Sequence, residues 1–293
     1  MTLSFTPVKL AEQADFQSYL DRCPQLASDY SFINLWSWAA VYGLEWAFSE
    51  ALVWIRQNRP ETALWAPVGD WEKVDWQGWR KEQPRLFESF VRVPQLLCDI
   101  WRQAFGESVR AAEDRAMWDY LYDAAELKEL KGNRFHRKKN LVNRFKKNHH
   151  HVFVEMDADM ADRAMALQYD WCTWRTCDSS SQLAAENQAI METLKNWESL
   201  NGVAGGCIFV EDLIVAYTIG ERISEETLLI HFEKGCPAYK GAYQAINQMF
   251  IENQADAELQ WVNREPDLGD EGLRKAKLSY HPSGFLKKYR VRL

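Results

Sequence analysis

Trp261-Val262-Asn263-Arg264-Glu265-Pro266-Asp267-Leu268-Gly269-Asp270-Glu271-Gly272-Leu273-Arg274-Lys275-Ala276-Lys277-Leu278-Ser279-Tyr280 joins a strand end, a loop of alternating charges and a short helix. The apolar strand end runs into Arg264, Glu265, Asp267 and Asp270. The helix after it carries Arg274, Lys277 and Tyr280 on neighbouring turns. Asp267 or Asp270 can accept the orphan N–H groups of the first helical turn, and Gly269 permits a backbone that other residues resist. The passage reads as a loop built to hold charges against something, with a capped helix and a solvated ion network as the plainer alternative.

Working outward, the stretch closes an alternation of strands and helices. Val152 to Met156 reads as a strand, and Met160 to Trp174 and Ser181 to Leu200 as helices, the second opening with Ser179, Ser180 and Ser181 as cap candidates. Ala204 to Val210 and Leu213 to Ile219 form a hairpin across Glu211-Asp212, and Thr227 to Glu233 gives a further strand. Lys234 to Tyr243 is then a glycine-bearing loop leading into a helix that ends near Asn253, followed by the strand Leu259 to Asn263. A loop of that kind turns backbone N–H groups toward an anion, which makes Gly241 a candidate phosphate binder. A basic strand from Phe285 to Arg292, with Lys288 and Tyr289, ends the sequence.

On the other side, the segment up to residue 130 holds ten of the fourteen tryptophans and a meander of strands at Leu44 to Ser49, Ala51 to Gln57 and Thr62 to Pro67. Pro94 to Phe105 reads as an amphipathic helix opened by its proline. No histidine precedes His136 and no catalytic constellation stands out, so this is a packing domain of mixed α+β type. Residues 131–150 then form a basic connecting segment, and no acid occurs between Glu129 and Glu155. Lys131, Arg134, Arg137, Lys138, Lys139, Arg144, Lys146 and Lys147 contribute eight cations. Phe135, Leu141, Val142 and Phe145 recur near helical spacing, so one face seats on the protein and the basic face points outward as a phosphate-binding ridge. A solvated linker helix is the plainer reading. His149, His150 and His151 are consecutive and do not converge on one ion, so no metal site is expected.

The formal net charge of −7 argues against a general nucleic-acid coat, which makes the local basic run the more notable. The start, Met1 to Pro7, lacks the basic and apolar regions of a secretory signal, and no apolar run reaches membrane-spanning length, so a cytoplasmic location is expected. Six cysteines without a C-x-x-C pair indicate neither zinc nor a disulfide framework and read as small core residues.

The element order of the second half resembles the GNAT acyltransferase fold, with Ala238-Tyr239-Lys240-Gly241-Ala242-Tyr243 standing where that fold carries Arg/Gln-x-x-Gly-x-Gly/Ala. Only Gly241 fits the signature cleanly. Phe135-His136-Arg137-Lys138-Lys139-Asn140, Ile230-His231-Phe232-Glu233-Lys234, the passage from Asn263 to Tyr280 and Lys288-Tyr289 look like something narrower. They resemble the stand-alone soluble relatives of the phosphatidylglycerol lysyltransferase C-terminal domain family. The resemblance implies an α+β protein of two tandem GNAT-like domains, with mixed, mostly antiparallel sheets flanked by helices: a degenerate one over 1–130 and one over 151–293 carrying the active site, joined by the basic helix. It implies transfer of an aminoacyl group from charged tRNA to an unidentified acceptor, with the helix at 131 to 147 holding the tRNA. The strand sequence His231-Phe232-Glu233-Lys234 departs from the acid and arginine pair expected of the lipid-modifying enzymes.

Direct attack of an amine or hydroxyl on an activated ester or thioester needs a phosphate clamp, donors for the developing oxyanion, a base and an acid. Arg137, Lys138, Lys139 and Asn140 with Gly241 are the clamp candidates. Arg264, Arg274, Lys277 and Lys288 would steady a carboxylate or phosphate. Glu233 is the candidate base and Tyr280 or Tyr289 the candidate acid, with Asp267 the further carboxylate of the charged loop. The donor is aminoacyl-tRNA or acyl-CoA. A non-catalytic RNA-binding module and an assembly protein with a tryptophan surface are the alternatives from other classes.

Overall fold

The computed structural model describes residues 3–84, 86 and 88–293; Met1 and Thr2, part of the stretch inspected for a leader, lie outside them. Two compact units divide the chain. The first takes residues 1–119, 266–270 and 285–293, and the second takes 120–265 and 271–284. This differs from the expected split at 130, because residues 266–270 of the charged loop and the final basic strand return to the first unit, while Arg264, Glu265 and the basic helix belong to the second.

In the first unit an eight-stranded sheet runs in the order Thr6–Pro7, Glu45–Phe48, Leu52–Gln57, Ala63–Trp65, Ser89–Pro94, Lys288–Arg292 and Arg110–Glu113, with Val68–Gly69 paired to Leu52–Gln57 off that path. The expected meander is present, and Gln95–Phe105 forms the amphipathic helix with Pro94 as its N-cap. Trp46, Trp54, Trp71 and Trp101 are fully buried. Their stability depends on where the indole N–H goes as well as on area. Trp46 donates to Glu12 at 2.9 Å and Trp71 to the Pro67 carbonyl at 2.8 Å, while Phe16 stacks on Trp46 and Phe90 packs at a tilt against Trp101.

The same unit buries an ionic box. The Lys288 ammonium is sealed between Asp29 and Asp119, at 2.6 Å from the latter, whose carboxylate also accepts from the Ser28 hydroxyl and amide. Arg92 completes it by pairing Asp29 and lying 3.9 Å over the Trp65 ring. Burial works against all of these charges, yet Lys288 and Arg92 hold the Asp29 carboxyl below its ordinary range, and the two aspartates hold Lys288 above its own.

In the second unit the sheet runs Asp119–Asp123, Trp261–Asn263, Thr227–Gly235, Leu213–Ser224, Val203–Val210 and His151–Glu155. All neighbours are antiparallel except Thr227–Gly235 and Trp261–Asn263, which are parallel and linked through the crossover helix Ala242–Gln254. Helices Ala158–Arg175 and Ser181–Lys195 also belong to this unit. Asp157 caps the first, and Ser180, one of the expected serines, caps the second. The basic helix spans His136–Asn148 with Val142 and Phe145 buried.

The cysteine reading needs one correction, because Cys172 and Cys177 form a disulfide with Cα atoms 5.0 Å apart. The helix ends at Thr176 in the left-handed conformation, and the turn beyond folds Cys177 back onto the last helical turn. Among the described residues no helix is long and apolar enough to cross a membrane.

Candidate functional site

The parallel ladder between Thr227–Gly235 and Trp261–Asn263 stops after Leu229 opposite Asn263. Beyond that point the chain turns away. The Arg264 amide donates to the Tyr120 carbonyl, the Glu265 amide donates to its own neighbour's side chain at Asn263, and Glu265 takes a positive φ. On the other strand His231 is the extra residue of a bulge, since Phe232 pairs Ile219 while Ile230 pairs Gly220. Gly220 is required there because a Cβ would lie 2.4 Å from the Leu229 carbonyl oxygen. Two strands that should pair are thus parted, and side chains span the gap.

Two ionic links cross it. His231 sits between Glu265 at 2.8 Å and Glu221 at 3.1 Å. Burial opposes its charge, but the hydrogen bonds its ring donates to both carboxylates prevail and raise its pKa to about 9. It is therefore an imidazolium at neutral pH and is not a base. The second link is Arg264 to Glu233, whose other carboxylate oxygen accepts from Asn247 of the crossover helix at 2.8 Å. The Arg264 guanidinium also lies 4.7 Å from the centre of the Tyr280 ring, and its Nη1 is buried with no hydrogen-bond partner. Burial pushes the Tyr280 hydroxyl up to about 12 against the pull of Arg264. From below, the Lys277 ammonium donates to the Arg264 and Glu265 carbonyls, and the Tyr122 hydroxyl donates to the Lys277 carbonyl.

The basic helix meets this cluster directly. Lys138 Nζ lies 4.0 Å from the centre of the Tyr280 ring, and His281 packs edge-on against Phe135. Arg137, Lys139 and Asn140 point to solvent.

The second unit therefore brings together Glu233, Arg264, Tyr280, Lys277 and Lys138, with Arg274 half exposed on the helix Glu271–Leu278. Three expected members fall in the first unit. Asp267 is buried, pairs Arg115 at 3.1 Å and accepts from the Gly269 amide, which makes it a turn former; Lys288 is sealed in the ionic box; and the Tyr289 hydroxyl donates to Gln95.

Gly241 is corrected from an open anion cradle to a packing glycine. It has φ of +100°, and a Cβ there would lie 2.3 Å from the Leu141 carbonyl oxygen of the basic helix, so Gly241 itself is covered while Pro237, Ala238 and Lys240 of its loop stay exposed. Asn247, His231, Glu221 and Glu265 were not among the candidates. Their signal was a polar residue breaking an apolar pattern: His231 within Leu228 to Phe232, and Asn247 beside Ala245, Ile246 and Phe250.

Against known proteins, the family model described as phosphatidylglycerol lysyltransferase, C-terminal, matches residues 21–292. A crystal structure of a conserved protein of unknown function from Bacteroides thetaiotaomicron superposes with a TM-score of 0.90 at 30% identity, covering all of both chains. The C-terminal domain of an Agrobacterium fabrum protein assigned as a lysylphosphatidylglycerol synthetase gives 0.66 at 14% identity, over 97% of this chain and 92% of that one. FemX gives 0.61 at 7% identity, over 99% and 98%. An uncharacterized protein of Mycoplasmoides gallisepticum is 22% identical over 183 residues, which is 60% of this chain but only 56% of that protein. The fold is accordingly α+β and tandem GNAT-like, as the sequence implied.

Proposed function

The chain belongs to the phosphatidylglycerol lysyltransferase C-terminal family, and from that premise we propose that it is an acyl or aminoacyl transferase. Its donor is an aminoacyl-tRNA held along the exposed cations of helix His136–Asn148; acyl-CoA is the other donor of the same reaction class. The observation that carries this reading is the buried Arg264 Nη1 without a protein partner, placed beside Glu233 and Tyr280 under the basic helix.

An unclaimed N–H donor shielded from water suits the charge that develops on a carbonyl oxygen under attack. Glu233 accepts the proton of the incoming amine or hydroxyl. Tyr280, protonated at neutral pH, donates to the departing ribose oxygen. Arg137, Lys139 and Asn140 contact phosphates, which positions the donor and makes its affinity salt-dependent. Arg274, half exposed on the neighbouring helix, steadies a carboxylate or phosphate of the substrate. Asn247 keeps Glu233 oriented, and the His231 pair holds the parted strands in register.

The packing of Gly241 against Leu141 favours a second reading, a tRNA-binding module without transfer, because that glycine admits the backbone of the basic helix where a pyrophosphate would otherwise approach. One experiment separates the two. Purified protein is mixed with tRNA charged with a labelled amino acid and with amine or hydroxyl acceptors, and label is followed for wild type, Glu233→Gln and Arg264→Met. Transfer that falls by about 10²-fold or more in both variants, with tRNA binding retained, supports the enzyme. Salt-dependent binding with no transfer in the wild type leaves the module.

A further inference from the structure

The strand His151–Glu155 ends the sheet of the second unit and pairs on one side only, with Val203–Val210. Its other side is a free edge. The Met156 amide donates to the Gly205 carbonyl, and bonded residues alternate in an antiparallel ladder, so Val152 and Val154 also bond inward. The N–H and C=O groups of His151, Phe153 and Glu155 therefore point away from the sheet, and no described residue bonds them.

Edges of this kind are normally guarded by lysine, proline or a bulge. This one reads His-Val-Phe-Val-Glu, without any of them, and Val152 is 53% exposed. Beside it runs an open groove of about 420 Å³, walled by Lys146, His151, Phe153, Met249 and Asn253. Gly206 shapes that groove: a Cβ there would lie 2.3 Å from the Phe153 ring, so the missing side chain lets the ring lie inward over the sheet.

We propose that this edge joins two copies of the chain, paired antiparallel about a two-fold axis at Phe153. In that register Phe153 bonds its twin, His151 of each copy bonds Glu155 of the other, and Val152 faces Val154 across the axis. About six backbone hydrogen bonds result. The register agrees with the edge, because the residues whose backbone groups point outward are the ones that become bonded. It also agrees with charge. An imidazole stands opposite a carboxylate, and the cationic helix end before the strand, Lys146 and Lys147, turns toward the acidic helix start after it, Asp157 and Asp159, in the second copy. A parallel pairing would set like beside like, so the sequence selects the antiparallel one. Phe153 and the groove share a face, and Phe153 of the second copy fills that groove. One strand pair with one groove is a small interface, so the dissociation constant is on the order of 10–100 μM.

The test is sedimentation of the full chain from about 1 to 300 μM, a range that brackets this affinity. Wild type should pass from monomer to dimer. Val152→Lys restores a guard at an exposed position, so it should raise the dissociation constant about tenfold or more while circular dichroism stays unchanged. Register is read by cysteine cross-linking with oxidised glutathione. Val152→Cys mixed with Val154→Cys should link, because facing residues of a non-bonded pair have Cα atoms about 4.5 Å apart. Either variant alone, with the same native cysteines, should not. A chain that stays monomeric throughout, leaving the edge to a strand of another protein, would overturn the assignment. So would a dimer indifferent to Val152→Lys, or single variants that link as readily as the mixture.

Discussion

The two units each bury a network of charges, and the networks differ in how completely they are closed. In the first unit Lys288 and Asp119 are wholly inaccessible, Asp29 nearly so, and two cations face two anions. In the second unit the corresponding groups lie deep but reach the surface: Glu265 keeps 18% of its side-chain exposure, Arg264 keeps 14%, and Arg264 Nη1 has no protein partner. A sealed, neutral box has no means of meeting a ligand, so its charges act on the fold alone. A network that is accessible, incompletely bonded and adjacent to a cationic helix is suited to chemistry.

The strongest break of this contrast is Lys288→Met. It leaves Asp119 without its cation and Asp29 with Arg92 only, and an uncompensated buried charge costs about 3–5 kcal/mol. Ten of the fourteen tryptophans lie in the first unit, so denaturant unfolding followed by tryptophan fluorescence reads this loss directly. A shift below 1 kcal/mol would mean that the box is not sealed. Transferase activity is not the sensitive readout for this variant.

Arg264→Met is the matching cut in the second unit and is expected to cost less, about 1–3 kcal/mol. Glu233 keeps its bond to Asn247, and with 12% exposure it can draw on water. The same variant removes the proposed oxyanion donor, so activity falls far more than stability. Denaturation followed by circular dichroism, run beside the transfer assay, gives both numbers. A stability loss as large as that of Lys288→Met would erase the distinction between the networks.

The contrast also explains what could be read from the sequence. Elements of the second unit were legible in kind and order, because alternation, the Glu211-Asp212 turn and the serine cap are local signals, although strand Leu213–Ser224 runs five residues past its expected end and helix Ser181–Lys195 stops five short. The basic ridge was legible for the same reason, since its charges lie within seventeen residues. Pairing across long separations was not. Lys288 looks like one more cation near a basic end, and nothing local ties it to an aspartate 169 residues earlier. The last strand completes the sheet of the first unit for a similar reason, as its partners Ser89–Pro94 and Arg110–Glu113 are remote in sequence. Gly241 was misread because a glycine before a helix has two uses, bonding an anion and admitting another backbone. Only the position of Leu141 decides between them.

The finest test lies in pH. His231 has a folded pKa of about 9 against an ordinary value of 6.5, so it binds its proton more tightly in the folded chain. The stability it contributes is fully present below pH 6.5 and is lost as pH rises through 9. Between pH 7 and 8 the loss amounts to about 1 kcal/mol for the second unit. Lys138 acts with the opposite sign, because its lowered pKa makes stability rise with pH from about 8 upward, so measurement is confined to the interval below 8 where histidine dominates. In the first unit the shifts of Asp29 and Lys288 move both groups away from neutrality, and the closed box is silent over the same interval. Denaturation curves at pH 7 and 8 should therefore converge for His231→Asn while wild type keeps its slope. An equal slope in the variant would place the titration elsewhere and leave Glu221 and Glu265 to hold the parted strands by hydrogen bonds that do not depend on the charge of His231.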